Sequence, residues 1–153
     1  MLTIMKLYDH LNWANKHILQ TIEVVGQQHN IQKPIQLFAH ILQAEQIWLA
    51  RLQGEDSKHM LIWPVGDITM CAKLVTENDA NYHSYLTSLS DTNMDNVISY
   101  TNQSGKLYQT SIRDILTHAA LHGQYHRGQI NALLRLEGID PVNVDFITYI
   151  RTM

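Results

Sequence analysis

Cys71 is the only cysteine in this chain of 153 residues, so no disulfide forms within it. A lone thiol suits a reducing cytoplasm better than a secreted setting. Positive charge is scarce as well: 11 Lys+Arg stand against 14 Asp+Glu, a net charge of −3, and no basic cluster stands out. That excludes the electrostatic footprint of a nucleic-acid-binding protein. No run approaches roughly 18 uncharged apolar residues, so no membrane span is expected. The N-terminal MLTIMKLYDHLNWANKH is broken early by Asp9 and His10 and reads as an amphipathic helix, not a signal peptide. A Gly-rich phosphate loop, a G-x-S-x-G elbow and a paired-carboxylate signature are all missing, as are internal repeats and low-complexity segments.

What remains is the composition of one globular domain spanning 1–153, 45% hydrophobic and 16% charged. A chain of this length buries roughly two-thirds of its unfolded surface. Leu7, Leu11, Ala14, Ile18, Ile22 and Val25 recur at three- and four-residue steps and predict a first helix of about 20 residues, stopped by Gly26. Pro34 is placed for the first turn of a second helix, whose apolar stripe is Phe38, Ile41, Leu42, Trp48, Leu49 and Leu52 and whose end is Gly54. The connection EDSKHMLIWPVGD, with Trp63-Pro64 and Gly66, is too apolar for a solvated linker and is expected to pack over something. A third helix runs from about Ile68 to Leu89, although its middle, TENDAN, is polar.

The character changes at NVISYTNQSGKLYQTS, where two apolar stretches flank Asn102-Gln103-Ser104-Gly105 and predict a short β-hairpin. Ser111 followed by Asp114 resembles a capping box opening a fourth helix, Ile112 to about Leu136, which Gly138 and Pro141 end. The last dozen residues read as an extended tail packed on the bundle. The fold class is therefore all-α: a four-helix bundle with long connections and a short β-hairpin before the fourth helix.

Inside the fourth helix, LTHAALHGQYHRGQI sets His118, His122 and His126 at four-residue spacing. Composition produces such a triplet about 0.03 times per chain of this length, so chance is a weak explanation. On a helix, successive members are displaced by about 40°, so i, i+4 neighbours share a face and can grip one metal ion. His122 belongs to both pairs. A third ligand must come from elsewhere, and His40, on a face with Leu37, Ala44 and Ile47 in an apolar segment, is the best candidate. Taken alone, His40 reads as a core histidine bonded to a carbonyl; beside an H-x3-H pair, ligation becomes the stronger reading. Gly123 and Gly128 beside the histidines indicate close packing or room for a ligand.

HILQAEQIWLARL followed by THAALHGQYHRGQINALLR resembles the DinB family, the DNA-damage-inducible B-like four-helix-bundle metalloproteins. NWAN (Asn12 to Asn15), the hairpin ending in Gly105 and the closing VDFITYIR extend the resemblance over nearly the whole chain. It implies a divalent metal held by His40, His122 and His126, with His118 one turn away in a supporting place. It also implies a homodimer, and in some relatives a thiol-dependent transfer or isomerisation using a low-molecular-weight thiol.

Three neutral imidazoles would leave a cation its full charge and an open position. Zinc, nickel and iron all accept imidazole, with zinc or nickel first. Such a site can lower the pKa of water or bind a thiolate. A structural site normally takes four protein ligands, and His118 lies roughly 12 Å along the axis from His126, too far to share an ion with it. Around the site, His10 and Arg127 are catalytic candidates: His10 as a proton shuttle, Arg127 as an anchor for an anionic substrate or else a member of a structural ion pair, although exposed arginine is the ordinary outcome. Trp13 shares the first helix with His10, and Glu45 is a candidate acceptor for a ligand histidine. His17, His29, His59 and His83 are expected at the surface, and Cys71 as a small buried hydrophobe.

Two readings stay open. One is a metal-dependent thiol transferase or hydrolase acting on a small molecule; the other is a non-catalytic metal-binding stress-response bundle. A DNA-binding damage-response factor is a third, opposed by the charge.

Overall fold

The three- and four-residue apolar spacing is realised as long helices in the computed structural model, which describes residues 1–153. The order is α1 (Leu2–Val25), α2 (Gln32–Leu52), α3 (Ile68–Ser88), β1 (Val97–Thr101), β2 (Leu107–Ser111), α4 (Ile112–Leu136) and α5 (Phe146–Arg151). A three-residue 3-10 turn, Asp91–Asn93, precedes β1. Helix α2 packs on α3 and α4, and α1 closes the bundle against the same two helices. No helix is long and apolar enough to cross a membrane.

Local chemistry sets the boundaries. Asp67 caps α3 by accepting the Met70 N–H at 2.8 Å. Ser111 caps α4, its Oγ accepting the Asp114 N–H at 3.1 Å and donating to the Asp114 carboxylate at 2.7 Å. Gly54 and Gly138 follow the ends of α2 and α4 at φ +77° and +74°, the left-handed conformation expected of helix stops. Gly26 stops α1 for a different reason. Its φ is −62°, in the right-handed region, but a Cβ there would meet Ile31 Cδ1 at 2.7 Å. The hairpin pairs Val97 with Ser111 and Tyr100 with Tyr108. Its turn is built by Asn102 Oδ1, which accepts the N–H groups of Ser104 and Lys106, with Gly105 at φ +81°.

Two expectations need correction. Helix α1 begins at Leu2, a full turn earlier than the apolar pattern marks. The C-terminal tail is not extended throughout, because Phe146–Arg151 forms α5, packed on α1.

The core has two parts. One apolar cluster contains Ile18, Phe38, Leu42, Val75 and Ile130; the other contains Leu11, Leu49, Tyr82, Leu86 and Leu116. On every long helix a buried polar residue stands between the two: Asn15, Glu45, Asn78 and Arg127 on α1 to α4 in turn.

Candidate metal centre

The helical repeat brings His122 and His126 of α4 to one face, with ring centroids 4.5 Å apart. From α2, which packs against α4, His40 enters at 5.1 Å from His122 and 4.7 Å from His126. One ring nitrogen from each of the three lies within 4.8 Å of the others. Zn–N bonds of about 2.0–2.1 Å in a tetrahedral arrangement place nitrogens roughly 3.4 Å apart. The cluster is thus open enough for an ion to enter, and the rings need to close in only slightly to hold it. The donor set, three imidazoles and no carboxylate, fits a borderline divalent cation.

Hydrogen bonds decide which nitrogens face inward. The Nδ1–H of His40 donates to the Ile62 carbonyl at 2.7 Å, and that of His126 to Gln129 Oε1 at 2.7 Å. Each bond leaves Nε2 as the acceptor, the arrangement by which supporting partners orient metal-binding histidines. Trp63, next to Ile62, stacks on His40 with centroids 3.7 Å apart and planes 6° from parallel. The apolar connection expected to pack over something therefore covers the back of a cluster histidine and fixes its tautomer.

Burial pushes the His122 imidazole down to about 4, helped by the nearby His126 and His40. Burial also lowers His40, against the opposing pull of the Ile62 carbonyl. Both are neutral at physiological pH, with lone pairs available. His118 does not join them. It is exposed on the next turn, 5.8 Å from His122 by ring centroid and edge-on to Trp48 at 5.0 Å.

The other candidates sit elsewhere. His10 is buried, bonded through Nε2 to the Val144 carbonyl at 2.8 Å and edge-on to Phe146, so it ties the C-terminal segment to α1. Trp13 packs against His17, which is half-buried where exposure was expected. Arg127, expected exposed, is 0% exposed. Its Nη1 donates to Asn15 Oδ1 at 2.8 Å, so it presents no guanidinium to a dissolved anion. Glu45 orients no histidine; its carboxylate accepts from Asn15 Nδ2 and Asn78 Nδ2, both at 2.9 Å. The glycines split: a Cβ on Gly123 would lie 3.1 Å from Arg127 Nη1, whereas one on Gly128 would meet nothing within 4 Å. Cys71 is fully buried, and burial pushes its thiol up to about 12, which makes it inert.

Sequence reasoning missed Asn15 and Asn78, the partners of Glu45. Each stands at a position where helical periodicity calls for an apolar residue, and that was the available signal. The Ile62 carbonyl left no trace in the sequence, since any residue supplies one.

Comparison with known proteins agrees with this geometry. The DinB family model matches residues 1–153. Protein DinB of Bacillus subtilis (strain 168) is 23% identical over 160 residues, covering 95% of this chain and 92% of its own. The crystal structure of a DinB-like protein from Bacillus cereus ATCC 10987 superposes with a TM-score of 0.72 at 16% identity, covering 95% of this chain and 97% of that one. With the same bundle and a family match from end to end, the chain belongs to the DinB family.

Proposed function

We propose that this protein binds one divalent metal ion, zinc or nickel before iron, through His40, His122 and His126, and uses the open site for thiol transfer or hydrolysis on a small molecule. The observation that carries the reading is the convergence of three imidazoles, two with hydrogen-bonded Nδ1 atoms, with no fourth His, Cys, Asp or Glu in the group. A bound cation there supplies Lewis acidity to a water or thiol that reaches it. The chain's own residues do the rest: Ile62 and Gln129 orient two rings, and Trp63 shields one face of His40 from water. The substrate class favoured is a low-molecular-weight thiol, because soft sulfur suits zinc.

A non-catalytic metal-binding role is the second reading, and one observation favours it. Three of the candidate proton carriers or anchors are engaged elsewhere: Glu45 and Arg127 within the core, His10 on Val144. We infer a cytoplasmic homodimer as part of either reading. The lone buried thiol supports the first attribute, and exposed apolar residues such as Leu121 and Tyr125 on α4 support the second.

The test is elemental analysis of untagged protein beside His40→Ala and His122→Ala. About one divalent ion per chain, lost in both variants, is expected. No bound metal, and no uptake of supplied zinc or nickel, would sink both readings. Turnover of thiol-transfer or hydrolysis substrates by the loaded protein separates the first from the second, and light scattering reads the dimer.

A further inference from the structure

Each of the four long helices contributes one buried polar side chain to a single connected layer. Arg127 Nη1 donates to Asn15 Oδ1 at 2.8 Å, and Asn15 Nδ2 donates to Glu45 Oε1 at 2.9 Å. Asn78 Nδ2 donates to Glu45 Oε2 and to the Leu42 carbonyl, both at 2.9 Å. The chain of bonds runs from α4 through α1 to α2 and on to α3. All four residues are at most 2% exposed. Glu45 and Arg127 form an ion pair relayed through Asn15 instead of meeting directly.

The layer is not arranged for stability alone. Arg127 Nη2 and Asn78 Oδ1 are buried without partners, and such orphans are costly. A buried ion pair is also weak evidence for stability, whereas its best-attested use is to fix register. The apolar clusters on either side cannot fix register as sharply, because hydrophobic attraction is non-directional. A hydrogen bond weakens steeply once it is stretched or bent.

What the register controls is the histidine cluster. His40 lies five residues before Glu45 on α2, and His126 lies immediately before Arg127 on α4. A slip of one residue along either helix moves a histidine about 1.5 Å relative to the others. The three nitrogens are already spread to 4.8 Å, so that slip takes one of them out of reach of a shared ion. Gly123 belongs to the same device, because its missing Cβ leaves the space the Arg127 guanidinium fills.

We propose that the Asn15–Glu45–Asn78–Arg127 layer is a positioning device that sets the axial register of α2 against α4 and so holds His40 opposite His122 and His126. The register is a property of the metal-free protein; only its consequence for affinity rests on the metal-binding reading.

The test uses the full chain with Glu45→Leu and Arg127→Met combined, which removes the pair without stranding either charge. Replacing a buried pair this way is commonly neutral or stabilising, but it orphans the Asn15 amide, so the melting temperature is expected to fall modestly. Cobalt(II) affinity by calorimetry is expected to fall about 10- to 100-fold, the range for losing support behind metal ligands. The crystal structure of the metal-free variant is expected to show His40 displaced from His122 and His126. Should the double variant not fold, Gly123→Ala keeps every charge, crowds the guanidinium, and is expected to weaken cobalt binding several-fold. Ile18→Val, in the neighbouring apolar cluster, is expected to lower the melting temperature and leave affinity within twofold. Unchanged affinity together with an unchanged histidine arrangement in the double variant overturns the proposal. If wild-type protein takes up no cobalt, the metal-binding reading fails, and the two metal-free crystal structures still decide the register.

Discussion

The layer of Asn15, Glu45, Asn78 and Arg127 and the cluster of His40, His122 and His126 lie close together on the same helices, yet they handle polarity in opposite ways. In the layer, donors meet acceptors at 2.8–2.9 Å, and opposite charges offset one another through Asn15. In the cluster, one ring nitrogen from each of three imidazoles lies within 4.8 Å of the others, and the Nδ1 bonds of His40 and His126 leave their Nε2 atoms as acceptors. The first arrangement offsets its charges within the protein, while Arg127 Nη2 and Asn78 Oδ1 stay without partners. The second leaves acceptor nitrogens of His40 and His126 turned away from their protein partners. A buried charge thus marks architecture here, and a group of imidazoles marks the candidate metal centre. That reverses the usual habit of looking first for charged residues in a candidate site.

The largest effect expected from breaking this contrast is on the layer. Arg127→Ala leaves Glu45 buried without its counter-charge, which costs about 3–5 kcal/mol. Calorimetry should then show the melting temperature falling by roughly 10 °C, given the size of the chain. His122→Ala should change the metal-free melting temperature far less. Equal losses in the two variants would erase the distinction between layer and cluster.

Metal should act in the opposite sense. Zinc at one hundred times its dissociation constant should stabilise the fold by about 2.7 kcal/mol. His40→Ala or His126→Ala should abolish that gain in a thermal shift measurement; its survival in either variant would place the ion elsewhere.

Acid should separate the two regions further. Burial pushes the Glu45 carboxyl up from 4.5 to about 6, against the hydrogen bonds from Asn15 and Asn78 and the charge of Arg127. The folded state therefore holds this proton more tightly than the unfolded state. Its contribution is fully present below pH 4.5 and is lost as pH rises through about 6, a change of about 2 kcal/mol. Buried histidines such as His122 add a slope of the opposite sign to both proteins. The stability difference between wild type and Glu45→Gln in urea unfolding should therefore shift by about 2 kcal/mol between pH 4.5 and 7. Parallel profiles would mean that burial leaves the carboxyl at its ordinary value.

The smallest effect should come from the Trp63 stack on His40. Trp63→Ala should cost about 0.5–1.5 kcal/mol in denaturant unfolding beyond the area it uncovers. A larger loss would make the connecting segment part of the core.

The sequence made the bundle legible because apolar residues at three- and four-residue steps have few other uses, and the hairpin because Asn102 and Gly105 have specific turn chemistry. The H-x3-H spacing made two cluster histidines visible in the same way, since a helix face follows from position alone. Arg127 was misjudged because arginine is usually exposed; its burial depends on Asn15, Gly123 and Glu45 meeting in space. The short helix at Phe146–Arg151 escaped because six residues hold too little periodicity to outweigh docking on α1. His40 needed the H-x3-H pair of α4 to stand out, since nothing in its own segment separates a ligand from a core histidine.

Each of the chain's three tryptophans lies against an imidazole: Trp13 against His17 at 4.3 Å, Trp48 against His118 at 5.0 Å and Trp63 against His40 at 3.7 Å. Only the Trp63 partner belongs to the cluster. Whatever occupies the three nitrogens changes the charge on a ring in face-to-face contact with that indole, and so changes its emission. An ion held there would therefore be read by the protein's own fluorescence, and Trp63→Phe would silence that signal while leaving the other two tryptophans as an internal reference.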